Sequence, residues 1–257
     1  MIDMDLSILW PALVAGLLVL STHVPLGQVV LARGIIFIDI AVAQIAGMGV
    51  IAAEQFGWEA EGWTVQLAAA LSALLAAFLF SLCEKFWPEI LEALIGTAFV
   101  LASSGSILLL VGNPHGGEHL KDLLVGQVLW VSSDALLYTA MLYAILLACW
   151  FLLREKIGRI GFYIIFALAV TASVQLVGVY LVFTCLIVPA LAVRRIHESY
   201  RLLLAYFIGI IGFVIGLLLS FAYDFPAGAI AVWSMAGCGL IFMLVTQYCL
   251  QRSGYKT

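Results

Sequence analysis

The residues best suited to chemistry stand in one short run, HGGEHLKD, where His115, Glu118, His119 and Asp122 are spaced i, i+3, i+4 and i+7. If the run is helical, all four side chains point one way. Two imidazoles and two carboxylates suit a site that collects a divalent metal such as zinc or manganese. Gly116 and Gly117 oppose a regular helix at its start, and a solvated loop that docks a partner is the alternative. The run also matches H-x-x-E-H, the inverted zinc-peptidase motif, through His115, Glu118 and His119. A peptidase needs those histidines on a rigid helix, a third ligand and an enclosed site. Pro114 and the glycine pair in a short loop argue against that enzyme, which stays a remote alternative.

Five further polar residues stand inside long apolar runs: His23, Asp39, Gln44, Glu92 and Gln175. An ionisable group at mid-depth in a bilayer costs at least ~2.5–3.5 kcal/mol, so each needs a partner, water or a function. Asp39 ranks first as a pathway candidate, its structural alternative being an ion pair or cap with Arg33. His23, two residues before Pro25, reads more readily as hydrogen-bonded structure. Glu92 and Gln175 are candidates for the pathway or its packing.

The elements that hold these residues follow from composition. The chain is 65% hydrophobic and 10% charged, with a mean hydropathy of +1.18, against about 45–50% and about 25% for a soluble domain. A bilayer core needs roughly 20 apolar residues per helix. On that measure the chain divides into nine segments, near residues 7 to 32, 35 to 53, 63 to 82, 90 to 111, 135 to 153, 160 to 175, 177 to 193, 202 to 221 and 227 to 250. The runs are continuous and rich in Leu and Ala, which excludes the alternating pattern of a barrel. The expected fold is an all-α polytopic bundle of eight to nine spans, a single transmembrane domain over 1–257. Residues 160 to 193 form the exception: two short segments meet at Gly178, as two spans or as a re-entrant hairpin lining the pathway.

Eleven Lys and Arg spread over the length leave no basic patch for nucleic acid. Their positions orient the chain by the positive-inside rule. Arg33, Lys85, Arg154, Lys156, Arg159, Arg194, Arg195, Arg201, Arg252 and Lys256 fall on the cytoplasmic side, the N-terminus outside and the C-terminus inside a cytoplasmic (inner) membrane. The acidic start, MIDMD, reads as a retained first span rather than a signal peptide. Five scattered cysteines read as structural, and Gly212 and Gly216 form a GxxxG packing pair.

The sequence contains no GxxxxGK[ST] motif, so any ATP drive comes from a partner. One charged break late in the chain, PALAVRRIHESYR, is suited to receive such a motor through Arg194, Arg195, Glu198, Tyr200 and Arg201. Ordinary positive-inside anchoring is the competing reading.

The run Val174 to Val193, VQLVGVYLVFTCLIVPALAV, resembles the signature region of zinc, manganese and iron ABC importer permeases. Leu26 to Val50, Glu92 to Leu110, His115 to Ser132 and Asp224 to Val232 match the same family in order and spacing. The resemblance implies a permease homodimer or pseudo-dimer, cytoplasmic ABC ATPase subunits docked after Pro189, and an extracytoplasmic (periplasmic or extracellular) metal-binding protein. The transported metal would be zinc first, with manganese or iron as alternatives, and no cofactor is held permanently. The family's second span carries an Asp and, four residues later, a His. Here Gln44 stands at the His position, and the carboxylate falls one step early at Asp39. A self-sufficient secondary carrier or channel is the rival, although such carriers show repeats and several mid-membrane charges.

Overall fold

In the computed structural model, which describes residues 6–58, 63–110, 124, 126, 128–153 and 156–252, nine α-helices follow one another. They are α1 (Leu6–Arg33), α2 (Ile38–Gln55), α3 (Trp63–Phe86), α4 (Leu91–Leu109), α5 (Ser133–Leu152), α6 (Arg159–Val177), α7 (Val179–Ala192), α8 (Glu198–Tyr223) and α9 (Ala227–Arg252). Short 3-10 turns at Pro88–Ile90 and Val128–Trp130 precede α4 and α5. Among the described residues, eight helices are long and apolar enough to cross a membrane; α7, with 14 residues, is shorter.

The break between α6 and α7 is made by glycine. Gly178 sits at φ 79° and ψ 161°, a conformation that side chains with a Cβ essentially never adopt. Gly126, at φ +71°, lays its backbone against the same point: a Cβ there would come within 2.3 Å of the Val177 carbonyl carbon. The predicted interruption at Gly178 is therefore real, with a second glycine packed over it.

Tight approaches elsewhere hold the bundle. Gly27 of α1 lies so close to α7 that a Cβ would stand 1.9 Å from Leu186 O. The Gly212 and Gly216 pair seats α8 on α9 of the same chain, facing Met235 and Ala231. Pro25 lacks the N–H that would bond the carbonyl four residues back; Tyr206 of α8 instead donates its hydroxyl to Ser21 O at 2.7 Å. At the far end of α8, Asp224 adopts the left-handed conformation (φ 55°), and Ser220 Oγ donates to Phe225 O at 2.7 Å to close the turn into α9.

Helices α6 and α7 form the centre. Most of their residues are buried within the single chain, leaving a narrow strip that includes Ile164, Gln175 and Tyr180. By contrast α3, α4, α5 and α9 expose rows of Leu, Ile, Phe and Trp, as lipid-facing helices do. Cys83, Cys149, Cys185 and Cys238 are free thiols within the packing.

Candidate functional site

Asp39 occupies the first turn of α2, 1% exposed, and its Oδ1 has no hydrogen-bond partner. The start of a helix favours a carboxylate there, since its first N–H groups are unused and its dipole end is positive. The expected pairing with Arg33 is not formed. Arg33 turns to Glu84 of α3, Nη1 to Oε1 at 3.3 Å, and lies 4.3 Å from the centre of the Phe162 ring. Asp39 is thus a buried carboxyl with unused acceptor capacity. Gln44 is also buried, five residues on, and five residues do not share one helix face.

Glu92, in the first turn of α4, accepts the Phe37 N–H at 3.4 Å, while its Oε2 has no partner. It tethers the entry of α2, directly before Asp39, to the entry of α4. Gln175 stands on the exposed strip of α6, a helix most of whose residues are buried.

His23 is fully buried and belongs to a network joining α1, α5 and α6. Its Nδ1 faces Val19 O at 3.0 Å. A carbonyl only accepts, so Nδ1 carries the proton and Nε2 is the acceptor; it faces Ser173 Oγ at 3.3 Å. Tyr143 donates to Ala169 O at 3.0 Å and lies against the Ser173 hydroxyl. Thr22 Oγ1 donates to Val19 O at 3.2 Å and completes the group. This is the hydrogen-bonded structural role expected of His23. Sequence reasoning missed Tyr143, Ser173 and Thr22, whose only signal is that polar side chains inside apolar spans require partners.

The charged break after Pro189 forms a compact corner. Val193 and Arg194 close the end of α7 through N–H bonds to Pro189 O and Leu191 O, both at 3.3 Å. His197 caps α8, its Nδ1 accepting the Ser199 N–H at 3.4 Å. Arg201 folds back, donating from Nη2 and Nε to Ile196 O at 3.0 and 3.2 Å. Of the five predicted contact residues, Arg194, Arg195, Glu198 and Tyr200 are exposed, whereas Arg201 is half-buried and braces the corner from within. The exposed four present a charged, hydrogen-bonding surface held on a rigid turn.

His115, Glu118, His119 and Asp122 lie outside the described residues. Among the described residues, no three His, Cys, Asp or Glu side chains gather into a metal-binding group.

A polytopic helical bundle with a glycine-broken central pair and a charged corner after it is a membrane permease fold. Across the chain, the family model of the ABC 3 transport family matches residues 5–162 and 154–246, and the chain belongs to that family. PsaBC from Streptococcus pneumoniae, solved in complex with Fab, has the same fold, with a TM-score of 0.74 at 20% identity over 93% of this chain and 91% of that one. A transporter described as metal-chelate type ABC, in an inward-facing conformation, superposes with a TM-score of 0.64 at 17% identity over 93% and 85%. A Haemophilus influenzae protein named probable iron transport system membrane protein is 30% identical over 133 residues, 44% of this chain and 49% of that protein. The chain thus spans about half the length of this curated relative.

Proposed function

We propose that the chain is the membrane subunit of an ATP-driven importer for a divalent transition metal, zinc ahead of manganese or iron. It works with separate cytoplasmic ABC ATPase subunits and an extracytoplasmic metal-binding protein, as a permease homodimer. The N-terminus lies outside and the C-terminus in the cytoplasm. The single observation that carries this reading is the exposed corner at Arg194, Arg195, Glu198 and Tyr200, braced by Arg201 at the end of the buried α7. A motor pushing on such a corner moves a helix packed at the centre of the bundle, where a loose loop would absorb the motion.

Alternating access then proceeds by rocking of the central helices. The binding protein docks outside, the outer run with His115, Glu118, His119 and Asp122 receives metal, and the ion descends between two copies along the exposed strip with Gln175. Asp39, buried with a spare acceptor oxygen, meets it near the cytoplasmic end once the rocking helices uncover the entry of α2; the second-span pair of the family is altered here, and Gln44 offers a neutral oxygen instead. The names of the relatives, an iron system and a metal-chelate type transporter, support a metal cargo. The absence of a P-loop supports an external motor.

The test joins co-purification to uptake. Tagged chain is expected to retain a P-loop ATPase from its host, and Arg194→Glu with Arg195→Glu to lose both that ATPase and uptake of radiolabelled zinc or manganese. Intact association and uptake in the double variant would remove the corner from the coupling role.

A further inference from the structure

One cavity shares no lining residue with the Pro189 corner and is used by none of the roles above. It measures about 580 Å³ and opens between the end of α3 and the turn from α5 into α6. Lys85, Lys156 and Arg159 line it together with Ser81, Gly158 and Gly161. Three cations thus converge from two separate parts of the chain, and among the described lining residues there is no carboxylate. Glu84, next in sequence to Lys85, is engaged by Arg33. Among the described residues, Lys85, Lys156 and Arg159 have no salt-bridge partner.

The wall adds neutral donors to these charges. Gly158 is the N-cap of α6 and brings no side chain to occupy the first-turn N–H groups; those groups and the positive end of a 19-residue helix favour an anion. A Cβ built on Gly158 would meet nothing within 4 Å, so the glycine leaves the space open. Ser81 contributes a hydroxyl. Cations, N–H groups and a hydroxyl around a cavity of this size suit a phosphate ester.

The surroundings choose the form of that ester. Leu75, Phe78 and Leu79 of α3 and Ile160 of α6 are exposed and flank the cavity. Phe86 and Trp87 stand exposed at its level, as aromatic side chains do at a membrane interface. A soluble phosphate has no use for such an apolar flank, but acyl chains do. Basic pockets between membrane helices on the cytoplasmic side are built for anionic headgroups.

We propose that this cavity binds the phosphate headgroup of an anionic phospholipid whose acyl chains lie along α3 and α6. The site fastens the end of α3 to the start of α6. It thereby provides a fixed point from which the central pair can move.

The full-length chain, delipidated in detergent, is titrated with phosphatidylglycerol, phosphatidylcholine or glycerol 3-phosphate and read by native mass spectrometry. Phosphatidylglycerol is expected to bind saturably, phosphatidylcholine to bind without saturation, and glycerol 3-phosphate to compete only at far higher concentration. The triple variant Lys85→Gln, Lys156→Gln, Arg159→Gln should lose about a hundredfold in affinity, at about fivefold per cation, which corresponds to ~1 kcal/mol each. Gly158→Phe sets a ring over the first-turn N–H groups of α6 without changing the charges and should weaken saturable binding at least tenfold in a chain with unchanged helical content. Equal binding of the two lipids, or undiminished phosphatidylglycerol binding by both variants, would overturn the proposal. Glycerol 3-phosphate binding as tightly as the lipid would make this a soluble-phosphate site, and displacement of lipid by the partner ATPase would make it a protein-docking face; either refutes the lipid assignment.

Discussion

Adding one methyl group at Gly27 should cost the chain more than almost any other single carbon. The Cβ of Gly27→Ala would stand 1.9 Å from Leu186 O and 2.9 Å from Leu186 C, where an unstrained carbon-to-oxygen contact is more than an ångström longer. Both partners are main chain, so no rotamer change relieves the clash and α1 and α7 must separate. Overpacking of this kind costs about 1–3 kcal/mol, and the upper part of that range applies because backbone has to move. Gly96→Ala in α4 is the matched comparison: its Cβ would meet nothing within 4 Å. There the change removes only the excess flexibility of a helical glycine and should stabilise by about 0.5–1 kcal/mol. The two methyls therefore differ by about 3 kcal/mol with opposite signs, which is about 6–12 °C in midpoint for a chain of this size. Thermal unfolding of detergent-purified chain, followed by tryptophan fluorescence, reads the difference. Equal midpoints for the two variants, or a Gly27→Ala chain as stable as the parent, would refute the close packing of α7 on α1. Because α7 carries the coupling corner, Gly27→Ala should also lower uptake in chain that is still folded.

Three further substitutions separate function from structure. Asp39→Asn keeps the shape of a buried side chain but removes its charge, and should lower metal uptake by tenfold or more while leaving the thermal midpoint within a few degrees; normal uptake would remove Asp39 from the pathway. His23→Ala takes away the acceptor facing Ser173 and should destabilise by about 1–3 kcal/mol, with Tyr143→Phe costing about 0.5–1.5 kcal/mol through the same network; unfolding midpoints of both variants check this, and unchanged values would show that the network contributes nothing.

The helical segments were legible because each must cross about 30 Å of hydrocarbon, and a run of apolar residues between charges is all that requires. The segments near 35 to 53 and 177 to 193 correspond to α2 and α7, and Gly178 was readable as their neighbour's break. The faces were not legible. Lipid is as apolar as leucine, so hydropathy does not distinguish a helix packed in protein from one facing the membrane. Helix α6 is 67% buried while α5, with the same hydropathy of 2.1, is 22% buried. For the same reason His23 announced a need for partners without naming Ser173, 150 residues away. The Arg33 and Asp39 pairing failed on direction: Arg33, at the end of α1, lies beside α3 and α6, and Glu84 and Phe162 meet it there. Arg201 likewise read as one more coupling contact beside Arg194 and Arg195, and only the turn at Ile196 brings a carbonyl within its reach.

The most direct test of the account is transport by defined components. The chain, reconstituted in proteoliposomes with the ATPase that co-purifies with it, with ATP on the cytoplasmic face and the metal-loaded extracytoplasmic binding protein on the other, should accumulate radiolabelled zinc or manganese. Accumulation should stop when ATP or the ATPase is omitted, and should persist when proton and sodium gradients are collapsed. Metal accumulation by the chain alone, driven by an ion gradient and indifferent to ATP, would contradict the account and make this protein a secondary carrier.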